Sequence, residues 1–147
     1  MSAAIRVLAL AVIRRGDELL VEDGKDPVKG EHYLRLLGGG VDFGERGEDA
    51  VRRELHEEIG VELADVRFLG VVENLFTLLD KPHHEVCLLY AARFADSSRL
   101  EQDAFAGTDF VDGREVPVRA RWVGADEIHE GCRLYPDGAL DLIANAP

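Results

Sequence analysis

The chain has 147 residues, 46% of them hydrophobic and 31% charged, with a formal net charge of −12; this suffices for the core of one domain and is short for two, so residues 1–147 read as a single domain. The charge argues against a nucleic-acid partner, because backbone affinity comes from Lys and Arg neutralising phosphates; an anionic small molecule would need a metal ion or a local basic patch. Cys87 and Cys132, the two cysteines, form neither a disulfide framework nor a closely spaced metal pair, which points to a reducing cytoplasm.

IRVLALAVI (5–13) has the hydropathy of a signal-peptide core, but no basic leader precedes it and Arg6 lies within it. It reads as a first strand and is too short to span a bilayer, so no membrane partner is expected. With the aliphatic stretch 18–22 it flanks Arg15-Gly16-Asp17 as the two arms of a hairpin. After the polar GKDPVKGE comes a short strand, Tyr33 to Leu37, leading into Gly38-Gly39-Gly40, where glycine lets the backbone approach a ligand closely. Helical spacing covers residues 47–59, with Gly60 as the stop.

That helix carries Glu54, Glu57 and Glu58 within roughly one 100° arc beside the apolar stripe of Val51, Leu55 and Ile59. Glutamates in a last turn oppose the helix dipole by about 0.3–1 kcal/mol each. Carboxylates ~6 Å apart at an effective dielectric near 20 repel by roughly 3 kcal/mol per pair. A solvated acidic face is the bland reading of any Glu run, yet helix stability alone would avoid this arrangement. A hard divalent cation such as Mg²⁺ or Mn²⁺ removes the conflict, since it takes carboxylate oxygens together with phosphates and water. Glu45, in the preceding loop, is placed to pair with Arg53 and fix that loop against the carboxylates.

Further on, VRFLGVVENLFTLL and HEVCLLYAARF read as strands joined at Asp80-Lys81-Pro82-His83, with ENLFTLL open to a helical reading. Asp96 to Glu115 reads as a loop and potential lid, with Glu101, Asp103 and Asp109 as candidates for a base that arrives with substrate. VRARWVG supplies a last strand, and GALDLIANA a closing amphipathic helix. Tyr33, Phe76 and Trp122 are either core aromatics or platforms for a base. Cys87, inside an apolar strand, reads as buried and inert. Several strands with two helices argue for an α/β fold with a mixed sheet.

From Gly39 the sequence runs Gly, five residues, Glu45, seven residues, Arg53-Glu54, Leu55, one residue, Glu57-Glu58, one residue, Gly60, Val61. This resembles the Nudix box of the Nudix hydrolase superfamily. More loosely, Glu73-Asn74, His84-Glu85, Trp122 and Leu134-Tyr135-Pro136 resemble a common bacterial Nudix subgroup. The resemblance implies an α/β/α sandwich around a central mixed sheet. It implies Glu54, Glu57, Glu58 and the Gly38 carbonyl as ligands of Mg²⁺ or Mn²⁺, with Glu45 and Arg53 holding the box together. It also implies hydrolysis of a pyrophosphate bond in a nucleoside diphosphate linked to another group. Arg35, Glu85 and Phe76 are the expected substrate contacts, and a homodimer is compatible with this pattern. Two departures stand out: Leu37 where many members have Pro, and Arg46 where Ser or Thr often caps the helix. The alternatives are a Nudix-like domain that binds a nucleotide derivative without cleaving it, and an isoprenoid-diphosphate isomerase, for which no suitable arrangement around Cys87 is evident.

Overall fold

A computed structural model describes residues 3–111 and 113–146. In chain order these form β1 (Ile5–Arg15), β2 (Glu18–Asp26), β3 (Glu31–Gly40), α1 (Gly47–Ile59), β4 (Leu63–Leu78), β5 (Lys81–Phe94), β6 (Ala104–Val111), β7 (Arg114–Val123), β8 (Leu134–Tyr135) and α2 (Ala139–Ala144). Short 3₁₀ turns lie at Ser97–Glu101 and Ala125–Glu127. The sheet order is β4-β5-β1-β3-β2-β7-β6, with β8 added beside β3. The β1–β5 and β3–β8 pairings are parallel and the others antiparallel, so the sheet is mixed as expected.

A helix packs on each face. Against α1 lie Ala9, Ala11, Leu37, Tyr90 and Phe94; against α2 lie Leu10, Val12, Leu89 and Cys87. The central strands therefore bury both faces, which is why β1 is a continuous aliphatic run without alternation. Within α1, Ala50, Val51, Leu55 and Ile59 are buried, the larger side chains contributing about 1.5–3 kcal/mol each. Gly60 ends the helix in the left-handed conformation (φ 69°), its N–H donating to the His56 carbonyl at 2.9 Å. Arg46, at the other end, makes no side-chain cap; Glu48 and Asp49 in the first turn complement the helix dipole instead.

Three expectations change. The β1–β2 hairpin pairs only next to its turn, Arg14 with Leu19 and Arg15 with Glu18; beyond it the arms part, and β3 pairs with β2 along its first half and with β1 along Leu37 to Gly40. The three glycines thus belong to a strand longer than Tyr33 to Leu37. In ENLFTLL the strand reading holds from Glu73 to Leu78, paired with residues 81–86 of β5, and Leu79 lies in the turn. Finally, the expected loop from Asp96 to Glu115 contains β6, hydrogen-bonded to β7 from Ala104 to Val111. Its glycine and aspartate content, which suggests a loop, is set by contact with α1: a side chain at Gly107 would bring a Cβ to 1.5 Å from the Glu58 carbonyl oxygen. Only glycine lets β6 run this close to the helix's last turn.

Candidate active site

The last two turns of α1 face β3 on one side and β6 on the other. Glu54 and Glu58, one helical turn apart, are both buried. Asp109 on β6 completes a group in which one oxygen from each carboxylate lies within 4.8 Å of the others. Glu58 Oε2 is buried without a hydrogen-bond partner. Burial, and then the negative charges of Glu22, Glu54 and Asp109, push the Glu58 carboxyl up to about 9. Burial likewise raises the Glu54 carboxyl, partly offset by Arg53. A buried acid without a partner among other acids is costly for a fold, and these converging carboxylate oxygens could hold a hard cation.

Arg53 organises the surrounding loop. Its Nε and Nη2 donate to the two carboxylate oxygens of Glu45 at 2.9 Å each, and Nη2 also donates to the Gly40 carbonyl at 3.0 Å. Its Nη1 donates to Glu54 at 2.9 Å and to Glu57 at 3.2 Å. The Glu45 carboxyl is accordingly held down to about 2, chiefly by the Arg53 guanidinium. Glu57 stands apart from this trio: its side chain is 54% exposed and turned toward Arg53. On the strand side, Gly39 abuts Glu54 so closely that an added Cβ would lie 2.4 Å from the Glu54 Cδ.

Gly38, Gly39 and Asp109 also line a cleft of about 540 Å³, together with Arg6, Arg35, Glu85, Tyr33, Phe76 and Tyr135. Its size suits a nucleotide-sized ligand. All three expected substrate contacts line it. Arg35 is fixed by a bidentate pair with Glu22 at 3.0 and 3.2 Å. Glu85 lies in the interior of β5, not at its start, and burial raises its carboxyl. Phe76 stacks on His83, with centroids 4.8 Å apart and planes 7° apart, and Tyr135 lies 6.5 Å from it.

Other sequence candidates fall elsewhere. Trp122 is core: it packs edge-on against Phe94 and Phe105, and its indole N–H donates to the Gln102 carbonyl at 2.8 Å. Asp103 pairs with Arg15 at 3.3 Å, and neither it nor Glu101 joins the carboxylate group. Of the three candidates in that segment Asp109 does, because its position on β6 meets the end of α1. Cys87 is buried, and burial pushes its thiol up to about 12. Arg6 and Phe110 line the cleft with no local signal in the sequence to mark them, and Tyr135, from the Leu134-Tyr135-Pro136 match, joins them there.

The whole chain, compared with protein families, matches the NUDIX domain over residues 4–140. It belongs to the Nudix hydrolase family. The MutT NUDIX hydrolase from Burkholderia pseudomallei superposes on this Nudix domain with a TM-score of 0.61 at 27% identity, covering 97% of this chain and 99% of that one. The RNA pyrophosphohydrolase of Cronobacter sakazakii is 42% identical over 45 residues, 31% of this chain and 25% of that protein. The NAD-capped RNA hydrolase NudC of Pseudomonas aeruginosa is 38% identical over 61 residues, 42% of this chain and 21% of that protein. The Nudix domain thus aligns with about a quarter or less of the length of these curated relatives. No helix among its described residues is long and apolar enough to cross a membrane.

Proposed function

We propose that this chain hydrolyses a pyrophosphate bond in a nucleoside diphosphate linked to another moiety, and that it needs a divalent cation, Mg²⁺ or Mn²⁺, to do so. The observation that carries this reading is the unpartnered, buried Glu58 oxygen set among the carboxylates of Glu54 and Asp109. Three converging carboxylate oxygens fit a hard cation, which prefers oxygen donors. Glu54, Glu58 and Asp109 would hold it, with Glu57 and the Gly38 carbonyl as the further donors that the family resemblance implies. When bound, the cation supplies charge neutralisation for the phosphate oxygens and makes water a better nucleophile.

The remaining work falls to the protein. Arg53, bonded at once to Glu45, Glu54, Glu57 and the Gly40 carbonyl, holds loop, strand and helix in one geometry. The aromatic side chains of Tyr33, Phe76 and Tyr135 offer surface for a nucleobase in the cleft. The cleft then aligns the diphosphate with the carboxylates, where positioning accounts for much of the acceleration in phosphoryl transfer.

The test is incubation with Mg²⁺ or Mn²⁺ and a panel of nucleoside triphosphates, nucleotide sugars, ADP-ribose, dinucleoside polyphosphates, coenzyme A and NAD-capped RNA, with Glu58→Gln as control and products identified by mass. Cleavage that requires the cation and disappears in the variant supports the reading. Ligand retained without cleavage across the panel points instead to a domain that binds but does not hydrolyse.

A further inference from the structure

The cleft is lined by both acidic and aromatic side chains in a protein of net charge −12, so how it holds the charge of a diphosphate depends on its few cations. Arg35 is already committed to Glu22 through hydrogen bonds of 3.0 and 3.2 Å. Lys29 lies 3.3 Å from Glu31 and 3.7 Å from Asp26. Arg6 is held differently. Among the described residues its ion-pair partner is Glu85, at 3.9 Å, too long for a hydrogen bond, and its side chain is 60% exposed.

Its position in the fold is specific. Parallel pairing of β1 and β5 sets Arg6 opposite Glu85, and antiparallel pairing of β1 and β3 sets Leu8 opposite Gly40. The Arg6 Nη2 lies 3.3 Å from where a Gly40 Cβ would stand. The guanidinium therefore borders the last of the three glycines, next to Gly39, against which the Glu54 carboxylate rests.

From this arrangement we infer that Arg6 is a two-position cation, resting against Glu85 and passing to the phosphate oxygens when a diphosphate enters the cleft beside Gly39 and Gly40. The inference rests on the proposed function for its ligand. The pair is long, lacks a hydrogen bond and has its guanidinium largely in solvent, so leaving Glu85 costs Arg6 little. A guanidinium on phosphate forms short, charge-assisted and often bidentate bonds, among the strongest available to a side chain. Glu85 keeps a polar neighbour when Arg6 leaves, since the β4–β5 register sets Asn74 opposite it. Arg6 is then a binding and positioning residue, and Glu85 is its resting partner rather than a base or a cation ligand.

The decisive measurement is calorimetric titration of α,β-methylene-ADP in Mg²⁺ into the wild type, Arg6→Gln, Arg6→Lys and Glu85→Gln, with KM and kcat measured beside it on whichever substrate the panel yields. Loss of one charged hydrogen-bonding group predicts affinity about ten- to a hundredfold weaker in Arg6→Gln, with KM rising more than kcat falls. Arg6→Lys, which keeps the charge but not the fork, recovers part of the loss. Glu85→Gln, which releases Arg6, binds the probe a few-fold more tightly. Unchanged affinity in Arg6→Gln overturns the inference. So does Glu85→Gln weakening binding as much as Arg6→Gln, because Glu85 would then meet the ligand or its cation itself. A wild type that binds the probe but cleaves nothing in the panel defeats the hydrolase reading alone, leaving the affinities to judge Arg6; a wild type that does not bind the probe defeats both.

Discussion

Gly39→Ala tests the site through a single methyl group. The new Cβ would lie 2.4 Å from Glu54 Cδ, 2.5 Å from Oε2 and 2.7 Å from Oε1, whereas carbon atoms in contact settle at about 3.5–4.0 Å. The neighbour that must yield is a side-chain carboxylate, so the strand can stay in place while Glu54 is pushed aside by about 1 Å. A misplacement of about 1 Å in a catalytic group lowers the rate on the order of a hundredfold, which corresponds to about 2.7 kcal/mol of transition-state stabilisation. Stability should change far less, because the Gly39 backbone lies outside the left-handed region and alanine there also restricts the unfolded chain, worth about 0.4–1 kcal/mol. The assay compares kcat, calorimetric Mn²⁺ affinity and thermal midpoint in the wild type, Gly39→Ala and Gly107→Ala. Gly39→Ala should stay folded with kcat down about a hundredfold and weaker Mn²⁺ binding, while Gly107→Ala, which meets the backbone carbonyl of Glu58, should lower the midpoint strongly. A folded Gly39→Ala with wild-type kcat and Mn²⁺ affinity would show that the Glu54 carboxylate has no part in the chemistry.

Further outcomes follow from the same geometry. Glu57→Gln and Glu58→Gln should each lower kcat by about a hundredfold or more in saturating Mg²⁺, as loss of a principal electrostatic stabiliser does; near-normal turnover in both would remove the glutamates from the reaction. In chelator, the native Glu58 carboxyl keeps its proton up to about pH 9 while the unfolded chain releases it near the ordinary glutamate value of 4.5. The unfolded state thus binds fewer protons across that window, and stability should fall by up to about 1.4 kcal/mol per pH unit as pH rises from the lower value to the higher. Denaturant titrations at several pH values should show this slope in the wild type and lose it in Glu58→Gln; equal slopes would place the titration elsewhere. Leu55→Ala, in the apolar stripe of α1, should cost about 2–5 kcal/mol, measured by denaturant unfolding in chelator to separate packing from cation binding. A thiol reagent at pH 8 should modify the half-buried Cys132 and spare Cys87 until the protein is denatured; fast labelling of Cys87 in the native state would contradict its burial.

Much of this protein can be read along its sequence because the relevant interactions are local. The α1 boundaries follow from helical spacing and a terminal glycine, and the pairing of Arg53 with Glu45 follows from spacing across one short loop. The charge conflict among Glu54, Glu57 and Glu58 is likewise written in one helix, so it signals a cation before any fold is known. Long-range contacts defeat the same approach. The segment holding Asp109 has the composition of a loop because its glycine answers to the Glu58 carbonyl, 49 positions away in sequence. Trp122 looks like a stacking platform until Phe94 and Phe105 enclose it. Arg6 and Glu85 meet only because β1 and β5 run parallel, a pairing that no hairpin announces.

The sequence by itself determined the glutamate helix and its charge conflict, since spacing on one helix sets side-chain direction without help from elsewhere, and its motif carried the family. Only the tertiary structure decided that Asp109 rather than Glu57 joins Glu54 and Glu58 in one carboxylate group, and which aromatics and cations share the cleft. Those choices are made by strand order and register, which bring together residues tens of positions apart, and local spacing carries no information about where such residues meet.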